Sequence, residues 1–324
     1  MVLSAEQIQR DFENYLQSQN FGSHPKGLYD PIHYSLSLGG KRLRPTLLIM
    51  AYNMYKDNVE YAYDAATAME IFHNFTLLHD DVMDNATMRR GAPTVHRRWN
   101  TNTAILSGDG MLIIAYSYLT RCATKGLERV LEIANSTFLE IMVGQQFDLD
   151  FELRDDVLED EYIDMIRLKT SVLLAACMQM GSVLGGATEH DSNLLYKFGE
   201  RLGLAFQLQD DLLDTYGNPK MFGKNIGGDI VSNKRTFLYI NAYQMANQEQ
   251  RERLDKWYSY KGNKEQKIAA VRGIYDELSI RQITSERIEQ LFSDALELLQ
   301  SISVPEERRR EIMNFALSLL KRKV

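Results

Sequence analysis

Apolar residues recur at three- and four-residue spacing along most of the chain, which is the period of a buried helix face. The stretches that show it are about 4–19, 43–56, 60–85, 102–121, 127–152, 159–184, 190–216, 235–245, 264–279, 283–302 and 305–322. Period-two alternation is rare, and no Asn-Gly or Asp-Gly pair separates two strand-like runs. The six prolines, Pro25, Pro31, Pro45, Pro93, Pro219 and Pro305, leave the interval 94–218 clear for successive long helices. The segment 217–233 gathers Gly217, Pro219, Gly223, Gly227 and Gly228 and reads as a loop. There is no linker composition and no short-period repeat. The pattern predicts an all-α protein, a single domain over residues 1–324, with antiparallel helices around a central cavity.

Two of these helical runs end in the same way. The first closes on Leu78-His79-Asp80-Asp81-Val82-Met83-Asp84, the second on Phe206-Gln207-Leu208-Gln209-Asp210-Asp211-Leu212-Leu213-Asp214. On a helix, Asp80 and Asp84 stand one above the other, as do Asp210 and Asp214. Like charges at that spacing repel, and aspartate is a weak helix former, so each motif asks for a counter-charge. Carboxylate oxygens are hard ligands, and neither Cys nor His stands beside them at metal-ligand spacing. That favours Mg²⁺, which keeps some waters and shares its remaining positions with substrate phosphates. Neither motif has the glycine and glutamate of an EF-hand loop.

Composition narrows the field. The chain has 324 residues, 44% of them hydrophobic, and a net charge of −7, which argues against nucleic acid as a partner. Phosphate binding must then rely on locally placed cations. Cys122 and Cys177 lie far apart in apolar helical contexts and read as reduced core residues of a cytoplasmic protein. The N-terminal residues lack the features of a signal peptide. The longest apolar run, near residues 111–116, falls far short of the ~20 residues a membrane span requires.

The local cations are in place. In Gly39-Gly40-Lys41-Arg42-Leu43-Arg44-Pro45, Pro45 suits the first turn of a helix, which puts Lys41 and Arg44 at its N-terminus. Cations there oppose the helix dipole, so an anionic partner accounts for them. Arg89 and Arg90 follow the first acidic motif and match phosphate oxygens bidentately. Lys169-Thr170-Ser171 interrupts an apolar helix. Lys224 lies in Gly223-Lys224-Asn225-Ile226-Gly227-Gly228-Asp229, and Lys234 lies ten residues on.

Taken in order, these motifs resemble the trans-isoprenyl diphosphate synthases, by motif over residues 31–236. The resemblance implies the isoprenoid synthase fold, usually as a homodimer, and head-to-tail condensation of an allylic diphosphate with isopentenyl diphosphate. It implies three Mg²⁺ ions held through Asp80, Asp81 and Asp84 and through Asp210, Asp211 and Asp214. Arg89, Lys169, Thr170, Gln207, Lys224 and Lys234 then match contacts to the allylic substrate, and Lys41, Arg44, His73 and Arg90 match the isopentenyl diphosphate site. A lone histidine on an apolar helix, such as His73, is usually a satisfied core residue; the resemblance makes it a ligand. His96 is given a structural role, and Gly144-Gln145-Gln146-x-Asp148 a supporting one.

Two other readings stay open. A class I terpene cyclase would share the cavity and the first motif, but would carry an Asn/Ser/Glu motif at the second and lack the Lys41–Arg44 cradle. A non-catalytic subunit would show eroded acidic or basic motifs. For chain length, a prenyl tail anchored at Asp80 and Asp84 runs back along its helix, where one turn of about 5.4 Å matches one isoprene unit. Phe75 and Thr76, then Phe72, set the depth. One aromatic at the position five before Asp80 resembles geranylgeranyl synthases, while the bulk of Phe72 leaves farnesyl diphosphate possible as product. Thr103 to Tyr118 carries more apolar surface than one core-facing stripe requires, consistent with a homodimer.

Overall fold

In a computed structural model of the chain, which describes residues 1–122, 126–217 and 226–320, helices dominate. The chain forms two compact units, one of residues 1–135, 176–196 and 302–312, the other of residues 136–175, 197–301 and 313–324.

The first unit is built on α4 (Tyr63–Met83) packed along α6 (Thr101–Leu119), with α1 (Ala5–Ser18), α2 (Lys26–Ser37), α3 (Leu43–Asn53) and the short α5 (Val95–Arg98) around them. Ala65, Ala66, Ala68, Met69, Ile71 and Phe72 of α4 are fully buried, so this helix is apolar on most sides until it reaches the acidic motif. It then stops in a defined way. Asn85 adopts φ 51°, its N–H bonds to the Val82 carbonyl, and the Ala86 N–H bonds to the Asp81 carbonyl, which together make a Schellman ending.

Beyond it, β1 (Met88–Arg89) pairs antiparallel with β2 (Ala92–Pro93) around Arg90 and Gly91, both with positive φ. A two-residue turn with positive φ at both positions is the hairpin type that matches strand twist. The sequence signal was weak because Arg-Gly stands where Asn-Gly is usual. Helix α2 was also missed, since Pro31 lies inside it.

The second unit has a core of Tyr162, Met165, Leu204, Leu208, Leu212, Phe237, Leu238, Leu254, Val271, Ile274 and Leu291, among others. These come from α8 (Glu159–Ile166), α10 (Glu189–Tyr216) and the helices Phe237–Met245, Gln248–Tyr258, Lys264–Glu277 and Ile280–Gln300. The helix Gln248–Tyr258 escaped the periodicity because it buries only Leu254. In the expected loop, a short helix Gly228–Val231 forms.

Between α8 and α9 (Val172–Gly185) the backbone widens into a π turn, Arg167–Ser171. Such turns are rare and recur at functional positions. Two glycines, one on α7 (Leu127–Phe151) and one on α10, make room for it. A Cβ on Gly144 would lie 2.4 Å from the Lys169 nitrogen, and one on Gly203 would lie 2.7 Å from the Ser171 Cα. The stretch Glu159–Gly185 is long and apolar enough to cross a membrane, contrary to the reading from local runs, but 78% of that window is buried in the protein. Its apolarity is that of a core helix.

Candidate active site

In the first unit the acidic motif sits at the end of α4, with Asp84 as its C-cap residue in helical conformation, so Asp80 and Asp84 do share one face. Asp81 points the other way and is buried. Its carboxylate receives a forked contact from Arg89, with Nη2 to Oδ1 at 2.6 Å and Nε to Oδ1 and Oδ2 at 2.9 and 3.1 Å. The Schellman ending and the hairpin turn the chain back to make this pair. Charge-assisted forks of this kind are the strong class of hydrogen bond.

Arg90, at the hairpin turn, reaches the Gly39 carbonyl and lies flat over Gly40, where a Cβ would come within 2.8 Å of the guanidinium carbon. Gly40 also has φ 136°, and it is this backbone conformation that requires glycine, since the Arg90 tip could shift.

Helix α3 begins just after it. Arg42, which carried no assignment, is the residue that docks the motif. It is buried in left-handed conformation, with Nη1 on Glu70 at 2.6 Å, Nε on Glu13 at 2.8 Å and Nη2 on the Leu36 carbonyl at 2.9 Å. Glu70 is itself buried and also accepts from Asn74 at 2.9 Å. An acidic residue inside the apolar run of α4 was the available signal.

Arg44 and His73 meet in the same unit, Nη1 to Nε2 at 3.1 Å. Guanidinium can only donate, so the imidazole accepts through Nε2 and carries its proton on Nδ1. Burial, then the charges of Arg44, Arg90, Arg89 and Arg42, hold His73 well below its usual pKa. Arg44 is pushed down mainly by burial, and its Nε is buried without a hydrogen-bond partner. Lys41, three residues before Arg44, is exposed. On α4, Phe75 and Phe72 are buried with ring centroids 5.5 Å apart, and Phe75 meets His79 edge-on at 4.7 Å. The Thr76 hydroxyl donates to the His73 carbonyl at 2.8 Å.

The second unit contains a cavity of about 870 Å³. Lys169, Thr170, Gln207, Asp211 and Lys234 line it, as do Asp148, Tyr162 and Asp229, to which sequence reasoning gave no direct contact. Asp148 forms an ion pair with Lys169 of the π turn. Thr170 donates to the Gln207 oxygen at 3.3 Å; the Gln207 amide donates to Asp211 Oδ1 at 3.0 Å, and the Tyr162 hydroxyl donates to Asp211 Oδ2 at 2.6 Å. Asp211 is buried, and its pKa is raised to about 7, first by burial, then by Asp229, against the lowering effect of Tyr162 and Gln207. Asp214 accepts from the Asp229 N–H at 3.0 Å and so fixes the start of the short helix Gly228–Val231. Lys224 lies outside the described residues.

Among the described residues no three His, Cys, Asp or Glu side chains stand close enough together to hold a metal by themselves. Carboxylates spaced one helical turn apart fit an ion that takes one or two protein oxygens and fills its remaining positions with water and substrate phosphate.

The comparisons with known proteins agree on one class. A family model described as polyprenyl synthetase matches residues 25–277. The geranylgeranyl diphosphate synthase of Sulfolobus acidocaldarius is 33% identical over 302 residues, covering 92% of this chain and 91% of that protein. A crystal structure of a geranylgeranyl pyrophosphate synthase is 41% identical and superposes with a TM-score of 0.95, covering 99% of this chain and 100% of the other. The geranylgeranyl pyrophosphate synthase of Corynebacterium glutamicum, solved with isoprenyl diphosphate and magnesium, is 26% identical with a TM-score of 0.87 over 98% of each chain.

Proposed function

The chain belongs to the polyprenyl synthetase family, has the all-α isoprenoid synthase fold, and is a short-chain prenyltransferase that joins an allylic diphosphate to isopentenyl diphosphate; from that premise we propose how its residues divide the work. The motifs Asp80-Asp81-x-x-Asp84 and Asp210-Asp211-x-x-Asp214 would hold three Mg²⁺ ions on the allylic diphosphate, and Arg89, Lys169, Thr170, Gln207, Lys224 and Lys234 bind that substrate. Lys41, Arg44, His73 and Arg90 bind isopentenyl diphosphate. The ions, when bound, supply positive charge against the leaving diphosphate. Isopentenyl diphosphate keeps its own diphosphate, so a basic cradle without metal is adequate there.

The observation that carries this reading is the basic cluster of the first unit. Arg44, Arg90 and a neutral His73 converge, and the buried Arg44 Nε has no hydrogen-bond partner within the protein. An anion with several oxygens satisfies that group, whereas a hydrocarbon does not. Lys169 and Thr170, presented on the π turn, bind and orient the allylic partner, and the Thr170 and Gln207 oxygens face developing positive charge on its carbon skeleton.

The product assigned is geranylgeranyl diphosphate in preference to farnesyl diphosphate. Phe75 and Phe72 support a floor at that depth, and the relatives above carry the geranylgeranyl name. The active form is a homodimer; Ile105, Leu106 and Ile113 of α6 are large apolar residues left exposed, Leu106 at 61% and Ile113 at 66%. The free, buried Cys122 and Cys177 fit a reducing, cytoplasmic compartment.

The test is product chromatography after incubation with dimethylallyl and isopentenyl diphosphates and Mg²⁺, for the parent and for Asp80→Ala. The parent is expected to make a prenyl diphosphate, and the variant to lose several orders of magnitude in turnover. A variant within tenfold of the parent would remove the metal assignment. Hydrocarbon from farnesyl diphosphate alone would identify a cyclase instead.

A further inference from the structure

The helix Lys264–Glu277 carries no recognised motif, yet it holds both ends of the segment that brings Asp229 and Lys234 to the cavity. At one end Gly227 packs on Ile268 so closely that a Cβ there would lie 2.6 Å from the Ile268 side chain. At the other end the Lys267 ammonium donates to the Asn233 side-chain oxygen. Asn233 is in left-handed conformation, φ 60°, and closes the short helix Gly228–Val231. Its N–H bonds to the Ile230 carbonyl, and the next N–H, that of Lys234, bonds to the Asp229 carbonyl at 2.9 Å. This is the same Schellman ending that follows the first acidic motif.

The position of Lys267 is costly in two ways. It is 4% exposed, so its charge is desolvated, and it stands in the first turns of its helix, where the dipole disfavours a cation. Two contacts offset that cost. One is the Asn233 oxygen, and the other is the face of Tyr258, whose centroid lies 5.6 Å away. Tyr258 in turn donates to the Lys234 carbonyl at 3.5 Å and shares a hydrogen bond with Tyr275 at 3.0 Å. On the far side of Lys234, Arg235 is tied to Asp155 and to the Arg154 carbonyl.

We infer that Lys267 is a positioning residue for the allylic half of the reaction: by holding the Asn233 turn it sets the direction in which Lys234 and Asp229 enter the cavity. The inference rests on the assignment of Lys234 to the allylic diphosphate. Lys267 does not line the cavity and acts chiefly through Asn233, not on the substrate.

The experiment measures KM for each substrate separately, with the other saturating, in Lys267→Met, Lys267→Arg, Asn233→Gly and the Lys267→Met/Asn233→Gly double variant, with Lys234→Ala as reference. Lys267→Met is expected to raise KM for the allylic diphosphate five- to tenfold while KM for isopentenyl diphosphate stays within twofold. Lys267→Arg, which keeps a donor, recovers most of the loss. Asn233→Gly keeps the left-handed backbone but removes the acceptor, so it reproduces Lys267→Met, and the double variant is no worse than either single one.

An allylic KM within twofold of the parent in Lys267→Met, or an equal rise for both substrates, overturns the inference. Should Lys267→Met not fold, Asn233→Gly decides alone, and a parental KM in that variant is equally fatal. If Lys234→Ala leaves the allylic KM unchanged, the site assignment fails and takes the inference with it. If Lys234→Ala acts and Lys267→Met does not, only the inference fails.

Discussion

Asp211 of the second acidic motif is a perturbed carboxylate, and its perturbation has a measurable consequence for the metal-free protein. The folded pKa is about 7 against an ordinary 3.8, raised chiefly by burial. Between those two values the unfolded chain has released the proton and the folded chain has kept it. The folded state therefore binds more protons, and stability falls as pH rises across the window, reaching its full loss above about 7. Each unit is worth about 1.36 kcal/mol, so a shift of about three units removes on the order of 4 kcal/mol.

Asp211→Asn removes the titration and keeps the shape. The new amide oxygen still accepts from Tyr162. Gln207 can turn its own amide to accept from the new N–H, and the Thr170 hydroxyl, a donor or an acceptor, tolerates the reversal. The variant is expected to match the parent within ~1 kcal/mol at pH 4.5 and to exceed it by several kcal/mol at pH 8, both in chelator. The assay is the difference in unfolding midpoint between variant and parent across that range. A difference that stays constant with pH would refute the reasoning, because it would mean that Asp211 ionises in the folded state as it does in the unfolded one.

Three further outcomes are expected. Arg42→Ala, which strands the buried Glu70, should cost about 3–5 kcal/mol by thermal or urea unfolding; Glu70→Ala should cost less, because Arg42 keeps Glu13, and pairing Arg42→Met with Glu70→Leu should recover much of the Arg42→Ala loss. Lys41→Ala should raise KM mainly for isopentenyl diphosphate and Lys169→Ala mainly for the allylic substrate, each by about 1.5–3 kcal/mol of lost charge-assisted contact; the reverse pattern in steady-state kinetics would exchange the two pockets. Phe75→Ala or Phe72→Ala should lengthen the main product by one or more isoprene units on reversed-phase chromatography, and unchanged products from both singles and the double would place the floor elsewhere.

Much of this was legible before any coordinates, and the reasons differ from place to place. Helix α4 was read to within three residues because its core alanines, Met69 and Phe72 impose the period over many turns. The hairpin at 88–93 was not legible, because a two-residue strand has no period and its turn is closed by Arg90, whose positive φ is held by contacts to Gly39 and Gly40 rather than by its own preference. The π turn at Lys169 is a matter of space. Gly144 and Gly203 permit it, but each is separated from it by many residues, and neither announces which turn it accommodates. Tyr162 gave no signal either: a tyrosine in an apolar run reads as core, and only the fold brings its hydroxyl to Asp211.

What the sequence could not distinguish is which member of each Asp-Asp pair does what. In both motifs the middle aspartate is the buried one. Asp81 is gripped by Arg89, and Asp211 is held by Tyr162 and Gln207. The flanking positions, Asp80 with Asp84 and Asp210 with Asp214, are the ones less buried and spaced one helical turn apart. Helix geometry explains the split. Neighbouring residues point about 100° apart, so a carboxylate directly beside the first cannot share its face, while one four residues on can. The middle carboxylate instead turns inward and anchors neighbouring side chains: Arg89 in the first unit, Gln207 and through it Thr170 in the second. Each motif thus encodes a pair of outward carboxylates and one inward fastener. Loss of the fastener should disorder substrate-binding side chains while leaving the outward carboxylates in place, so that Asp81→Ala weakens allylic binding through Arg89 where Asp80→Ala removes turnover.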